Sequence, residues 1–242
     1  MPAVSGPEST PSDVRSPDAD SLKRAAAERA LELVRPGMLL GLGSGSTASY
    51  FIEGLGRLVR DGLRVMGVPT SAAAAAQAQR LGIQLTEAPD RELDLAVDGA
   101  DEIDATLSLI KGRGGALLRE KVVAAAARRF VVVADESKLV RRLGVGVLPV
   151  EVLPFMWRRT AHHLQHMGLT WEVRGGEDSP YRTDNGNLVL DLRVGGGIAD
   201  VNELAEQLAQ CPGVLEHGLF VGLTSACIVA GAGGTRVLGS LD

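Results

Sequence analysis

Five consecutive apolar residues, Phe130-Val-Val-Val-Ala134, lie between a segment of helical character and the polar turn Asp135-Glu-Ser-Lys138. A strand with no polar face must be covered on both sides, which is the position of a central strand in a parallel sheet. The same unit recurs upstream. Met38–Leu42, Arg64–Val68, Ile83–Thr86 and Asp94–Asp98 read as strands. Between them the sequence predicts an N-capped amphipathic helix from Ser21, stopped by Pro36-Gly37. It also predicts a helix opening at Ala48, an alanine-rich helix over Ser71–Leu81, and a helix from Gly114 to about Arg129. The inward face of the last is read as Leu117, Leu118, Val122 and Ala125. Alternating strands and helices imply an α/β fold with a doubly wound, mostly parallel, Rossmann-like sheet.

The pattern changes near Gly144. Val147–Val152 contains a proline and is read as an edge strand. It is followed by a helix (Phe155–His166), strands Leu169–Val173 and Leu188–Leu192, a helix (Val201–Gln210) and a strand (Val214–His217). The order β-α-β-β-α-β is ferredoxin-like. The chain then returns to the first sheet with Ala226–Ala230 and Arg236–Leu238. The expected organisation is a disordered extension over 1–20, a Rossmann-like catalytic domain over 21–143 plus 219–242, and an inserted α+β domain over 144–218 that covers a crevice.

A net charge of −5 argues against nucleic acid as a partner, because phosphate backbones select basic surfaces. Cys211 and Cys227 show neither CxxC spacing nor a disulfide framework, so a reducing cytosol is the simpler setting. No apolar run is long enough for a membrane span, and residues 1–20 have no apolar core for a signal peptide. A cytoplasmic protein without membrane association is expected.

Four polar turns follow predicted strand ends: Gly43-Ser-Gly-Ser-Thr47, Pro69-Thr-Ser71, Asp98-Gly-Ala-Asp101 and Asp135–Lys138. In a doubly wound sheet those ends share one edge, where ligands bind. The first turn opens a helix, so backbone N–H groups and the hydroxyls of Ser44, Ser46 and Thr47 suit a phosphate. A dinucleotide is disfavoured. The spacing from Gly41 is G-x-G-x-x-S, and the following strand ends in Pro-Thr-Ser without the acid that would hold a ribose. There is no GK[ST] and no G-x-S-x-G.

Asp98, Asp101, Glu102 and Asp104 cluster after a buried strand, and Lys111 precedes the glycine-rich Gly112-Arg-Gly-Gly115. Paired acids and a cation suit proton transfer on a small anion, although a solvated acidic turn and a solvated lysine fit the same residues. No histidine accompanies the acids, which disfavours a zinc or iron site there and leaves weak magnesium binding open. His162, His163 and His166 have i, i+4 spacing without the HExxH glutamate. Pattern alone does not separate Glu120, beside Lys121, from a surface residue.

Gly41–Ala48, Val97–Glu102, Lys111–Lys121 and Ala134–Lys138 together resemble, in order and spacing, ribose-5-phosphate isomerase of type A. Thr183–Asn187 and Pro212–Phe220 are similar too. The resemblance runs from about Leu22 to the C-terminus. It implies interconversion of ribose 5-phosphate and ribulose 5-phosphate through a cis-enediolate, without metal or cofactor. By those motifs Glu120 is the base, Asp98 assists ring opening and shuttles hydroxyl protons, and Lys111 stabilises the enediolate oxygens. Ser44, Gly45, Ser46, Thr47, Lys138 and Lys23 are implied at the phosphate end. Gly99, Ala100, Asp101, Gly112, Arg113 and Gly114 are implied around the sugar. A homodimer, or a tetramer, is the implied assembly. Ser44 stands where many members have threonine, and Arg113 where glycine is common. A sugar-phosphate sensor and a CoA-transferase-like enzyme of the same fold are the alternatives.

Overall fold

Asp18 places a side-chain oxygen 2.7 Å from the Ser21 N–H and so starts the first helix, α1 (Ala19–Leu31). The computed structural model describes residues 18–241. The helix therefore takes in residues assigned above to the extension, and the rest of the expected disordered segment lies outside the described residues.

The chain continues through β1 (Leu39–Leu42), α2 (Gly45–Arg60), β2 (Met66–Pro69), α3 (Ala72–Arg80), β3 (Gln84–Leu85) and β4 (Leu95–Asp98). Two short strands, β5 (Glu102–Ile103) and β6 (Leu109–Ile110), precede α4 (Leu117–Ala125), β7 (Phe130–Asp135) and a 3-10 turn at Glu136–Lys138. The second unit comprises β8 (Leu148–Val152), α5 (Trp157–His166), β9 (Thr170–Val173), β10 (Leu188–Arg193), α6 (Val201–Ala209) and β11 (Val214–His217). The chain ends with β12 (Leu219–Phe220), β13 (Ala226–Gly231) and β14 (Gly234–Gly239).

Seven strands form the main sheet in the order β14-β13-β7-β4-β1-β2-β3, parallel except for the β13–β14 hairpin. The order reverses between β1 and β4, so their carboxyl ends open a crevice at the topological switch point. Val131 and Val133 pack with α1 and α2 on one face of the sheet, through Ala27, Phe51 and Leu55. Phe130, Val132 and Ala134 pack on the other face with Val123, Ala124 and Phe220. Both faces of β7 are thus covered, as its unbroken apolar run requires. Each large side chain so buried contributes about 1.5–3 kcal/mol.

The four-stranded sheet has the order β11-β8-β10-β9, all antiparallel, the ferredoxin-like arrangement, with α5 and α6 supplying Ala161, Leu164 and Leu208 to its own core. Here the sequence reading of β8 needs correction: β8 is interior. Pro149 lacks a donor, and the structure accommodates it opposite Gly218. The Gly218 N–H donates to the Pro149 carbonyl (2.7 Å), while the Gly218 carbonyl accepts instead from the Lys111 N–H (2.9 Å). The missing hydrogen bond of a central proline is thereby given to the segment that carries Lys111.

A third sheet, β12-β6-β5, joins the two units and has no counterpart in the sequence reading, because two-residue strands carry no periodicity. It removes Glu102 from the acidic cluster. Glu102 is buried and accepts from the backbone N–H groups of Gly144 (2.7 Å), Val145 (3.2 Å) and Gly146 (2.6 Å). Asp104 is likewise structural, accepting from the Thr106 and Ser108 N–H groups.

Two helices also differ from expectation. α2 begins at Gly45, so Ser46 and Thr47 lie in its first turn. α4 is shorter than predicted and turned by about one position: Leu117, Glu120, Val123 and Ala124 are buried, whereas Val122 is 62% exposed. Among the described residues, no helix is long and apolar enough to cross a membrane.

Candidate active site

The crevice at the ends of β1 and β4 holds a cavity of about 160 Å³. Its walls are Lys23, Ser44–Thr47, Gly99–Asp101, Lys111, Gly112, Gly114, Glu120 and Lys138. Every one of these was expected from the sequence and its resemblance. Asp98 and Arg113, also expected, are not among the lining residues.

Two ends can be distinguished. At one, Gly45, Ser46 and Thr47 form the first turn of the sixteen-residue α2, with Lys23 and Lys138 nearby. Unpaired N–H groups, a helix dipole and two ammonium groups favour a doubly charged anion. The Ser44 hydroxyl is engaged elsewhere, 2.7 Å from both the Thr70 and the Ser71 hydroxyls. Those residues belong to the Pro69-Thr-Ser71 turn, so this turn supports the cradle from behind.

At the other end lie Asp98, Lys111 and Glu120, exposed by 3%, 3% and 5%. Lys111 Nζ donates to the Gly99 carbonyl (2.6 Å) and pairs with Asp98 Oδ2 (3.0 Å). It also stands 3.3 Å from Glu120 Oε2. Asp98 Oδ1 accepts from the N–H groups of Ser44 (3.0 Å) and Gly99 (2.7 Å). Gly43 makes room for that carboxylate, since a Cβ there would fall 2.3 Å from Asp98 Cγ. Asp98 thus lies behind Lys111, fixed by three donors.

Glu120 differs. Its Oε2 is buried and has no hydrogen-bond partner among the described residues. Lys111 stands 3.3 Å away as its ion-pair partner and no other donor among the described residues reaches this oxygen, so the carboxylate is held near a cation but left free to accept. Burial pushes the Glu120 carboxyl up to about 8 against the pull of Lys111, and the Asp98 charge adds to the rise. Burial raises Asp98 too, opposed by Lys111 and by the Gly99 and Ser44 N–H groups. For Lys111 burial acts downward, but Asp98 and Glu120 outweigh it and keep the ammonium protonated. One cation between two buried carboxylates leaves one of them inclined to hold a proton. Asp98 has two backbone donors as well, whereas no backbone N–H among the described residues reaches the Glu120 carboxylate.

Arg113 turns away from the cavity. Its guanidinium approaches Asp101 (4.0 Å) and Glu102 (3.5 Å), and its N–H donates to Asp101 Oδ2 (3.0 Å). His162, His163 and His166 are exposed on α5, and among the described residues no group of three or more His, Cys, Asp or Glu side chains is placed to hold a metal.

Sequence reasoning missed a second cluster behind Glu120. Lys121 Nζ donates to Glu216 (2.6 Å) and to the His217 carbonyl (2.7 Å). Burial and the Lys121 charge push His217 down to about 4, so its ring is neutral. The Phe220 ring faces both Lys111 (5.5 Å) and Lys121 (5.1 Å). These contacts span about a hundred residues, and no local spacing signals them.

The sequence model of the family ribose 5-phosphate isomerase A (phosphoriboisomerase A) matches residues 66–234. Ribose-5-phosphate isomerase A of Nitrobacter hamburgensis is 53% identical over 227 residues, covering 90% of this chain and 97% of that one. The chain belongs to the ribose 5-phosphate isomerase A family. The Gloeobacter violaceus member is 50% identical over 224 residues, covering 91% and 97%. Among solved members, ribose 5-phosphate isomerase from Plasmodium falciparum superposes with a TM-score of 0.88 at 36% identity, covering 92% of this chain and all of that one. A D-ribose-5-phosphate isomerase in complex with phospho-erythronic acid gives 0.87 at 37% identity, covering 92% and 100%. Family membership accounts for the described fold with its three sheets.

Proposed function

We propose that this protein interconverts ribose 5-phosphate and ribulose 5-phosphate, with Glu120 as the general base. The observation that carries the reading is the buried, hydrogen-bond-free Glu120 Oε2 in the cavity wall, 3.3 Å from a lysine that cannot easily lose its proton. Proton abstraction next to a carbonyl needs a carboxylate with a free lone pair and a fixed positive charge where the oxyanion forms. A related isomerase binds phospho-erythronic acid, a phosphorylated four-carbon acid, which supports a sugar-phosphate ligand here.

In this reading the phosphate occupies the α2 end, with Ser46, Thr47, Lys138 and Lys23, and the open-chain aldehyde lies toward Lys111. Glu120 removes the proton from C2 as electrons move onto the carbonyl oxygen at C1. Lys111 stabilises the resulting cis-enediolate. The proton held by Glu120 then returns to C1, the hydroxyl on C2 becomes the ketone, and a hydroxyl proton moves to O1, giving ribulose 5-phosphate. Asp101, in the cavity wall, contacts the sugar hydroxyls. Asp98 lies behind Lys111, so we assign it to holding the lysine; its implied part in ring opening would need the closed carboxylate to reach the sugar.

The unit over 144–218 acts in this account as the cover of the crevice and as an oligomerisation surface in a homodimer, and the cytoplasm is the expected location. Incubation with ribose 5-phosphate in EDTA, followed by detection of ribulose 5-phosphate, tests the reading. Turnover that requires the phosphate, and is absent with free ribose, is the expected result. An inactive protein moves the sugar-phosphate sensor to the front.

A further inference from the structure

The loop that carries Lys111 is held from outside the cavity by the inserted sheet. Arg174 follows β9, and its guanidinium pairs with Asp191 on β10 through two hydrogen bonds, one of them from Nε at 2.9 Å. The same guanidinium donates from Nη1 to the carbonyls of Gly112 (3.0 Å) and Arg113 (3.1 Å). Its face lies 5.8 Å from the Tyr181 ring, whose hydroxyl in turn approaches the Gly114 carbonyl (3.4 Å). Three successive carbonyls, at Gly112, Arg113 and Gly114, are therefore turned toward the inserted unit. With them fixed, Lys111, Gly112 and Gly114 present the loop's other side to the cavity, and the Arg113 N–H reaches Asp101.

Gly112 has φ +106°, which glycine adopts freely, and the loop's own turn hydrogen bond runs from the Gly115 N–H to the Gly112 carbonyl (2.9 Å), so the Arg113 and Gly114 carbonyls take their partners from the inserted unit. An arginine fork, pinned by a bidentate carboxylate, gives that support a defined direction; a lysine ammonium has no such fork.

We infer that Arg174, held by Asp191, is a positioning residue for the isomerisation: it fixes the 112–114 carbonyls outward and thereby sets Lys111 and Asp101 against the reacting end of the sugar. The inference rests on the isomerase reading and concerns the reacting end of the cavity only. Nothing in the clamp touches Gly45, Ser46 or Thr47, so phosphate affinity should be independent of it.

Arg174→Lys and Arg174→Ala test this beside the wild type, with Arg193→Ala, which breaks an exposed β10 ion pair to Glu172 at 3.7 Å, as the control. Three readouts are taken: kcat on ribose 5-phosphate, competitive inhibition by inorganic phosphate, and amide hydrogen exchange over residues 112–115. Both Arg174 variants should lose about tenfold to a hundredfold in kcat, a range set by misplacement of a catalytic loop. They should keep the phosphate inhibition constant within twofold and exchange faster at 112–115, while Arg193→Ala should match the wild type throughout. A kcat within twofold of wild type overturns the inference. So does a parallel loss of phosphate binding, which would mean general unfolding of the site. If the wild type itself has no isomerase activity, the functional reading fails, and the exchange rates still decide whether Arg174 holds the loop.

Discussion

The ammonium of Lys111 stands 3.3 Å from Glu120 Oε2 and 3.0 Å from Asp98 Oδ2, yet only Asp98 receives backbone hydrogen bonds as well. That asymmetry divides two buried carboxylates into a fixed counter-ion and a group free to take a proton. Carboxylates of matched chemistry acquire different roles from their surroundings.

Replacing Lys111 with methionine leaves both carboxylates buried without their cation. Loss of charge stabilisation at a developing oxyanion costs about a hundredfold to a thousandfold in kcat. Stability should respond to pH as well. Without Lys111 both carboxyl pKa values rise further, so the variant should lose more stability relative to wild type at pH 8 than at pH 5. Thermal melting at the two pH values checks this, together with steady-state kinetics.

Activity should rise with pH well above the range of an ordinary carboxylate. The Asp98–Glu120 pair titrates as a unit, and the limb of kcat/KM on its acid side should have an apparent pKa near the value of about 8 held by Glu120. A pH–rate profile of the free enzyme reads it directly. A limb at pH 4 to 5 would mean that the base is not desolvated as the structure has it.

The same shift has a stability cost with a definite sign. An acid whose pKa is 4.5 unfolded and about 8 folded binds more protons in the folded state between those values. Its stabilising effect is complete below pH 4.5 and is lost as pH rises toward 8. Glu120→Gln removes that loss. The variant should melt higher than the wild type at pH 8 to 9, by about 1–3 kcal/mol, with the advantage shrinking toward pH 5. Calorimetry across that range decides the matter.

Much of this site was legible because its parts sit at strand ends. Gly43–Thr47, Asp98–Asp101 and Asp135–Lys138 each follow an apolar run, and a doubly wound sheet gathers such ends at one edge. Glu120 was not legible from pattern, although one signal was present. Leu117, Glu120 and Ala124 fall at i, i+3 and i+7, so the glutamate shares the buried stripe of α4. Val122, expected to face inward, is exposed one position away from the buried Val123. Glu102 looked equivalent to Asp98 because backbone donors from residues 144–146 are more than forty positions away. Pro149 suggested an edge because the lost donor was assumed to face solvent, whereas the Lys111 N–H takes its place. The Glu102 and Pro149 differences both come from long-range hydrogen bonds, which local spacing does not encode.

Gly43→Ala probes the close approach behind the site. The added Cβ would meet Asp98 Cγ at 2.3 Å, so the carboxylate must move or the strand end must shift. A destabilisation of about 1–3 kcal/mol is expected from overpacking, with a fall in kcat as Lys111 loses its anchor. Denaturant unfolding and kinetics on one preparation check both. A variant with wild-type stability and rate would show that β1 and β4 are looser here than their packing indicates.

The central claim is that Glu120 carries the proton between C2 and C1. Turnover of ribose 5-phosphate by Glu120→Gln measures it most directly, with inorganic phosphate inhibition as the check on an intact site. The account predicts a loss of about a hundredfold or more in kcat, in the range of a positioned general base, with phosphate affinity unchanged. A variant that folds, binds phosphate and turns over within a few-fold of the wild type would contradict it and place the base elsewhere.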